Sequence, residues 1–446
     1  MFASALKAAG SAAAGLMSGA AALPFTTESE YTSFAGKSPW RMYKGKKDVP
    51  DPKGGSNKVE CTIFVHDLKG ASPAQSSAAR NAMKKLRTIK HPYLVKCLDA
   101  GEINDQKGGG TIYIVTEPVQ PLSEVLSELQ QTPASIVWGV YTLAAAVNFL
   151  NIDCKIVHGQ VSIEAIFVDR GMDWKLGGFE LCSAADAADA SYFGTCKELF
   201  PKRLQSPELA RGNMEALGRI PVVADWWALG CTTFEVFCGT IRSPSDLKNV
   251  GEMPELLRPD YMRLLSGNPA ARLRPAELLQ NALFDEDYVS LQLFLETLNI
   301  KDAVEKDRFF TKLADRVPAL PKATAQWKVL PALCNSLEYG GGSARALEPL
   351  LKIAGVLTEE EMQEQVCRAQ FGRSSGAVPA QFGRNHSDAP PPLATGGAHR
   401  RQALRQHRPL HAHPAPRAAA QHRPVPHLQG DPHPSPAPAP APAPAP

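Results

Sequence analysis

The chain has 446 residues, with 48 Lys and Arg against 45 Asp and Glu and a formal net charge of +3. That length gives room for two or three domains, and the near-balance of charge excludes a polyelectrolyte from end to end. Nine cysteines, at 61, 97, 154, 182, 196, 231, 238, 334 and 367, show no C-x-x-C spacing, which predicts a reducing, cytosolic setting with buried free thiols and no zinc cluster.

Residues 1–23 are rich in Ala, Gly and Ser, with Phe2, Leu6, Leu16 and Met17 as the larger apolar side chains. A flexible N-terminus is expected. A weak amphipathic helix on a membrane or on the folded body competes with it, and a targeting peptide is disfavoured by the single Lys and absence of Arg. Val59-Glu60-Cys61-Thr62-Ile63-Phe64-Val65 alternates as a strand. The segment before it, Lys44 to Gly55, holds no G-x-G-x-x-G window, and Gly54-Gly55 reads as a turn between strands. A helix is expected from Gln75 to Thr88, ahead of His91-Pro92-Tyr93-Leu94-Val95. Tyr113 to Pro118 reads as a strand running into a connector, with helices over Leu122–Leu129 and Ile136–Leu150. No run of 18 apolar residues marks a membrane span.

The most informative stretch follows, Ile156-Val157-His158-Gly159-Gln160-Val161-Ser162-Ile163-Glu164-Ala165-Ile166-Phe167. It resembles the protein-kinase catalytic loop His-Arg-Asp-x-x-x-x-Asn, with Gly159 for the Arg, Gln160 for the catalytic Asp and Ala165 for the magnesium-binding Asn. The other kinase landmarks stand in order around it. Phe64 occupies the place of the phosphate-binding Lys; Lys58 nearby is weighed as a substitute and set aside as a surface group. Counting back nine residues from His91 puts Ala82 where the partner Glu belongs. Trp174-Lys175-Leu176-Gly177-Gly178-Phe179-Glu180 resembles the Asp-Phe-Gly segment, with Gly178 for the metal-binding Asp. Ser206-Pro207-Glu208 resembles Ala-Pro-Glu, Asp225-Trp226-Trp227-Ala228-Leu229-Gly230 resembles Asp-x-Trp-x-x-Gly, and Asn268 to Pro275 resembles Asp-Pro-x-x-Arg-x-x-Pro. The kinase resemblance implies a buried, bidentate Glu208–Arg272 pair, and Glu208, Asp225, Trp227 and Arg272 as structural residues. Loss of both the Lys and the Glu, at Phe64 and Ala82, removes their ion pair without leaving a lone buried charge. No catalytic residue is expected, and neither a nucleotide cofactor nor a metal, because phosphoryl transfer rests on the positioning and electrostatics that Phe64, Ala82, Gln160, Ala165 and Gly178 cannot supply.

With Lys328-Val329-Leu330-Pro331-Ala332-Leu333 and Leu347-Glu348-Pro349-Leu350-Leu351-Lys352-Ile353, the pattern resembles the Scy-like pseudokinases, in the branch of N-terminal kinase-like proteins, from about Pro24 to Gln365. The resemblance implies an α+β, bilobal kinase-like fold over 24–300, an N-lobe sheet with its helix above a helical C-lobe. HEAT- or armadillo-like helices over 301–366 are to follow. It also implies an inactive scaffold in Golgi or endosomal vesicle traffic, with protein partners such as coat components and peripheral membrane attachment. The alternatives are an unorthodox ATP-binding Ser/Thr kinase and an adaptor binding nucleic acid or polyanions.

From Asp302 the pattern is helical. Its apolar faces are Phe309, Phe310, Leu313 and Val317; Trp327, Leu330, Leu333, Cys334 and Leu337; and Leu347, Leu350, Leu351 and Ala354, with Gly340-Gly341-Gly342 as a stop. One or two repeats fit before Gln365, fewer than a stable array needs. Residues 367–446 carry nine Arg and two Asp with no Lys or Glu, and end in a Pro-Ala repeat. Subtracting that +7 from the whole-chain +3 leaves the body near −4. A disordered tail is expected, an out-of-frame 3′ end being the favoured origin and an anion-binding arm the less favoured role; no nucleic-acid partner is expected, since no aromatics are interleaved with the arginines.

Overall fold

The computed structural model describes residues 25–365, apart from 37, 51–55, 105–108, 129–130, 186–198, 213–220 and 339–343. The expectations for 1–24, Gly54-Gly55, Gly340–Gly342, Cys196, Cys367 and the tail 367–446 lie outside the described residues.

Five antiparallel strands form the first sheet in the order β1-β2-β3-β5-β4, with β1 Phe25–Glu30, β2 Arg41–Pro50, β3 Ser56–Asp67, β4 Cys97–Asn104 and β5 Gly110–Thr116. Strand alternation divides its side chains between two clusters. Cys61 and Ile63 of β3 join Phe25 and Val115, while Phe64 joins Met42, Ile112 and Ile114 on the face that meets α1. That helix, Pro73–Thr88, begins at a capping box between Ser72 and Gln75, with Pro73 in its first turn. Its buried stripe includes Ala78, Ala79, Ala82, Met83 and Leu86.

The second lobe is mostly helical. A three-stranded sheet, β6-β8-β9 (Val119–Pro121, Ile166–Asp169, Trp174–Leu176), and a two-stranded one, β7 with β10 (Ile156–Val157, Ser183–Ala184), hold its upper loops. Helices α2 (Leu122–Ser127), α3 (Pro133–Asn148), α4 (Pro207–Ala210), α5 (Val223–Cys238), α6 (Arg258–Leu264) and α7 (Pro275–Leu278) lie around them. With the turn after it, α3 makes a stretch Pro133–Asp153 that is long and apolar enough to cross a membrane. The sequence reading did not register it, because interspersed Ser, Thr, Gly and Asn break the apolar run without adding charge. Of its most apolar 18-residue window 67% is buried, and α3 packs on α5, α7 and β9 as the central helix of the lobe.

Four more helical stretches follow: α8 (Asp287–Thr297), α9 (Ala303–Arg316), α10 and α11 (Leu347–Ala354). In α10, Lys322–Thr324, a π turn at Ala325–Val329 and Leu330–Glu338 run on as one rod. Leu291, Leu295, Phe310, Leu313, Leu333 and Ile353 are in their shared core. The α8 helix also gives Val289 to the C-lobe core, so the boundary expected at 300/301 falls after a helix that serves both sides. Two of the expected faces differ. Cys334 is exposed on α10, the one exposed thiol among seven described free cysteines. On α11, Leu347 and Leu351 are exposed while Pro349 and Ile353 are buried: the helix is turned by about one residue relative to its most apolar stripe.

A polar network joins this helical segment to the kinase-like body. Lys328 of α10 reaches both carboxylate oxygens of Asp173 at 2.9 and 2.7 Å, and Trp138 Nε1 donates to Asp173 Oδ1 at 2.7 Å. Burial pushes the Asp173 carboxyl up, but Lys328 and Lys175 hold it below the usual carboxylate range. The guanidinium of Arg170 lies 4.7 Å over the Trp327 ring and pairs with Glu60 of β3 and with Glu364. The helical segment is thereby tied to both lobes.

Candidate functional site

The cleft between the lobes is where a kinase-like fold places its chemistry. Phe64, Ala82, Gln160 and Gly178 all line it, with Phe34, Trp40, Phe167, Glu164 and Glu180. Ala165 is buried directly beneath Gly178, whose added Cβ would lie 2.6 Å from the Ala165 Cβ. The structure thus brings all five degenerate positions together. Lys58 is exposed and sits opposite Asp48 in the β2–β3 register, on the part of β3 that leads away from Phe64.

Three aromatic rings pack against one another in the cleft. Phe64 meets Phe167 at 5.3 Å between centroids and Phe34 at 6.0 Å, and Phe34 meets Phe167 at 5.7 Å. These edge-on and tilted geometries are the favourable ones for aromatic pairs. The cavity left between them is about 20 Å³, room for about one water molecule, whereas sites for small molecules run to roughly 300–1,000 Å³.

Phe34 is not among the residues that the sequence motifs mark, because the motif places the phosphate-covering connection in Lys44 to Gly55. The structure makes Lys44 to Pro50 part of β2, and the connection between β1 and β2 is Tyr31 to Trp40. That segment folds into the cleft and is fastened at both ends. The Tyr31 hydroxyl donates to Val119 O at 3.2 Å, and Trp40 Nε1 donates to Glu180 Oε1 at 2.6 Å. The clustering of Tyr31, Phe34 and Trp40 between two strands was the available signal.

The connector between the lobes is also satisfied from within. Thr62 Oγ1 accepts from Val119 N at 2.9 Å and donates to Val119 O at 2.9 Å. The Val119 peptide groups therefore have partners inside the protein, which closes this edge to a ligand that would need them. On the other side, Asn81 of α1 donates to Glu180 O at 3.0 Å and Cys182 O at 2.9 Å. A neutral amide one residue before Ala82 anchors α1 to the Gly178-Phe179-Glu180 segment, a position a Lys–Glu ion pair would otherwise govern. Burial raises the Glu180 carboxyl above its ordinary range.

Beneath the cleft the loop is held rigidly. Asp225 at the start of α5 accepts from His158 N at 2.7 Å, Gly159 N at 2.8 Å and Asn151 Nδ2 at 2.8 Å. Gly159 has φ +77° and Gly178 φ +72°, left-handed values that favour glycine. His158 Nε2 lies 2.8 Å from Gly177 O, and Nδ1 accepts from Gln160 N at 3.2 Å, a pattern that fixes the neutral, Nε2-protonated ring. Burial pushes His158 down to about 4 and Asp225 up to about 6. The two act oppositely on stability. For Asp225 the folded state binds the proton more tightly, so stability falls as pH rises from about 4 to about 6. For His158 the unfolded chain binds it more tightly, so stability falls as pH drops from about 6.5 to about 4. Comparing wild type with His158→Gln isolates the second. The wild type is expected to lose about 3 kcal/mol more than the variant across that window, read by urea unfolding at several pH values; parallel profiles would contradict a buried neutral imidazole.

Glu208 and Arg272 meet in the C-lobe as a bidentate pair, Nη1–Oε1 at 2.5 Å and Nη2–Oε2 at 2.8 Å, with the guanidinium 5.1 Å over the Trp227 ring. Among the described residues, no group of three or more His, Cys, Asp or Glu is arranged to hold a metal ion.

Residues 41–264 match the protein tyrosine and serine/threonine kinase family. The chain is 31% identical over 344 residues to the probable inactive serine/threonine-protein kinase scy1 of Dictyostelium discoideum, covering 77% of this chain and 40% of that one. It is 28% identical to the mouse protein associating with the carboxyl-terminal domain of ezrin, covering 62% and 36%, and 25% identical to mouse SCY1-like protein 2, covering 72% and 38%. The chain thus spans about two fifths of the length of these relatives.

Proposed function

We infer function from a plain premise: the chain belongs to the protein kinase family and, within it, to the Scy-like pseudokinases. The kinase-like domain is a protein scaffold that transfers no phosphoryl group. The observation that carries this reading is the Phe34–Phe64–Phe167 cluster in the cleft. A nucleotide triphosphate would have to displace three packed rings, and at the motif positions it would find Phe64, Ala165 and Gly178 in place of the Lys, Asn and Asp that hold phosphate and magnesium. The setting we propose is cytoplasmic vesicle traffic at Golgi or endosomal membranes, through protein partners such as coat components and peripheral attachment. This part rests on the family resemblance. The name of the mouse relative, which records association with part of ezrin, is of the same kind, a protein contact. The helices α9 to α11 are read as the start of a HEAT-like array.

Fractionation of cells expressing the tagged chain tests the setting. Part of the protein is expected to sediment with Golgi or endosomal membranes and to be released by high salt or alkaline carbonate. Recovery entirely in the supernatant, or resistance to carbonate, contradicts the proposal.

A further inference from the structure

We propose that the groove between α8 and α9 is a docking site for an acidic peptide segment of a partner protein, its apolar side chains resting on Phe294 and Phe309 and its carboxylates meeting Arg308 and Lys312. The groove has a volume of about 350 Å³. Its floor is a stacked ring pair, Phe294 on Phe309, with centroids 4.0 Å apart and planes 12° apart. Both rings are half-buried, and the Lys301 ammonium lies 5.5 Å over the Phe294 ring, leaving Phe309 and the ring edges to line the groove.

The charges around this floor sort by position. At one end Arg316 pairs with Asp287 at 2.8 Å, and at the other Lys301 pairs with Glu305 at 3.2 Å. Arg308 and Lys312 stand between them, exposed, one helical turn apart and with no partner among the described residues. The two acids of the rim are thus already neutralised, and two free cations overlook an aromatic floor. Phosphorylated and acidic motifs are recognised by such basic clusters, the apolar floor adding a pocket for alternate side chains.

Charge complementarity selects the occupant. The chain's own residues 367–446 carry nine Arg and two Asp, the wrong sign of charge to complement Arg308 and Lys312. The body outside that tail is near −4 by the same count, +3 less +7, so Arg308 and Lys312 are not part of a generally positive body. A flat anionic membrane cannot reach a floor recessed between two helices.

The test uses the full chain and a fluorescein-labelled peptide of four Glu-Glu-Leu repeats, followed by anisotropy. Saturable binding is expected with a dissociation constant on the order of 10⁻⁵–10⁻⁴ M, the range of a weak contact, weakening as salt rises toward about 0.3 M. The double variant Arg308→Glu, Lys312→Glu is expected to bind about tenfold more weakly or worse. Both sites are exposed, so its melting temperature should not move, and Lys84→Glu with Arg87→Glu on α1 should bind as wild type does. No saturation up to about 1 mM, or equal affinity in the groove variant, overturns the proposal. So does sedimentation with phosphatidylserine vesicles that the same two residues govern, which would assign the face to membrane, or a dimer that the double variant dissolves, which would assign it to a second copy. The proposal names a partner class for the scaffold reading but does not depend on the filled cleft; nucleotide binding would sink that reading and leave peptide binding as measured.

Discussion

Glu208→Ala is expected to lower stability by about 3–5 kcal/mol, the cost of leaving one member of a buried ion pair without the other. The Arg272 side chain has no solvent exposure and that of Glu208 only 5%. After the substitution Arg272 keeps its bonds from Nη1 to Val223 O and from Nε to Ser266 O, both 3.0 Å, and its place over Trp227. None of these offsets a full positive charge out of reach of water. Burial pushes the Glu208 carboxyl up, but the Arg272 hydrogen bonds outweigh it and hold the group below its ordinary range. Its contribution is therefore present at neutral pH and is lost as pH falls through the lowered value. Thermal melting of purified protein checks both points. A melting temperature within about 2 °C of wild type, or an unchanged acid limb, contradicts the C-lobe packing described above.

Phe64→Ala is expected to cost about 3–5 kcal/mol, the range for truncating a buried phenylalanine and leaving a cavity. If Phe64 were only the residue left behind when a Lys was lost, its removal would matter little. The structure instead makes it the ring that contacts both Phe34 and Phe167, and it is 7% exposed. The enlarged cavity would be lined by apolar side chains with Glu164 and Glu180 and would gain no affinity for phosphate. Restoring kinase residues does not reverse the adaptation either. A side chain at Gly178 would begin 2.6 Å from the Ala165 Cβ, so Gly178→Asp overpacks the floor of the cleft, a change that typically costs 1–3 kcal/mol. Urea unfolding of Phe64→Ala measures the first effect; a loss under about 1 kcal/mol would mean that the rings do not carry the cleft.

What could be read from the sequence was what is local to a motif. Glu208, Asp225 and Arg272 stand in short patterns whose spacing identifies them, and Phe64, Gln160, Ala165 and Gly178 could be placed because their neighbours keep the pattern. Ala82 needed only a count along one helix. The residues that fill the cleft were not legible in this way. Phe34 with Trp40, Thr62, and Phe167 come from three separate segments, and Trp40 meets Glu180 across 140 residues of chain. No local pattern announces a ring that replaces a ligand. The connection Tyr31 to Trp40 has no glycine-rich pattern, and a loop that has lost its glycines has lost the feature by which its sequence is recognised. On α11 the error has a different cause. Two adjacent stripes are apolar, Leu347 with Leu351 and Leu350 with Ile353, and periodicity alone does not say which one the neighbours cover.

Thermal melting with and without Mg·ATP tests the central claim most directly, that the protein's own side chains occupy the nucleotide cleft. A ligand at 100 times its dissociation constant stabilises by about 2.7 kcal/mol, which for a folded unit this large is a shift of roughly 5 °C. With ATP at several millimolar and magnesium in excess, the account predicts a melting temperature unchanged within the error of the assay. A dose-dependent rise of several degrees that disappears when magnesium is chelated would contradict it.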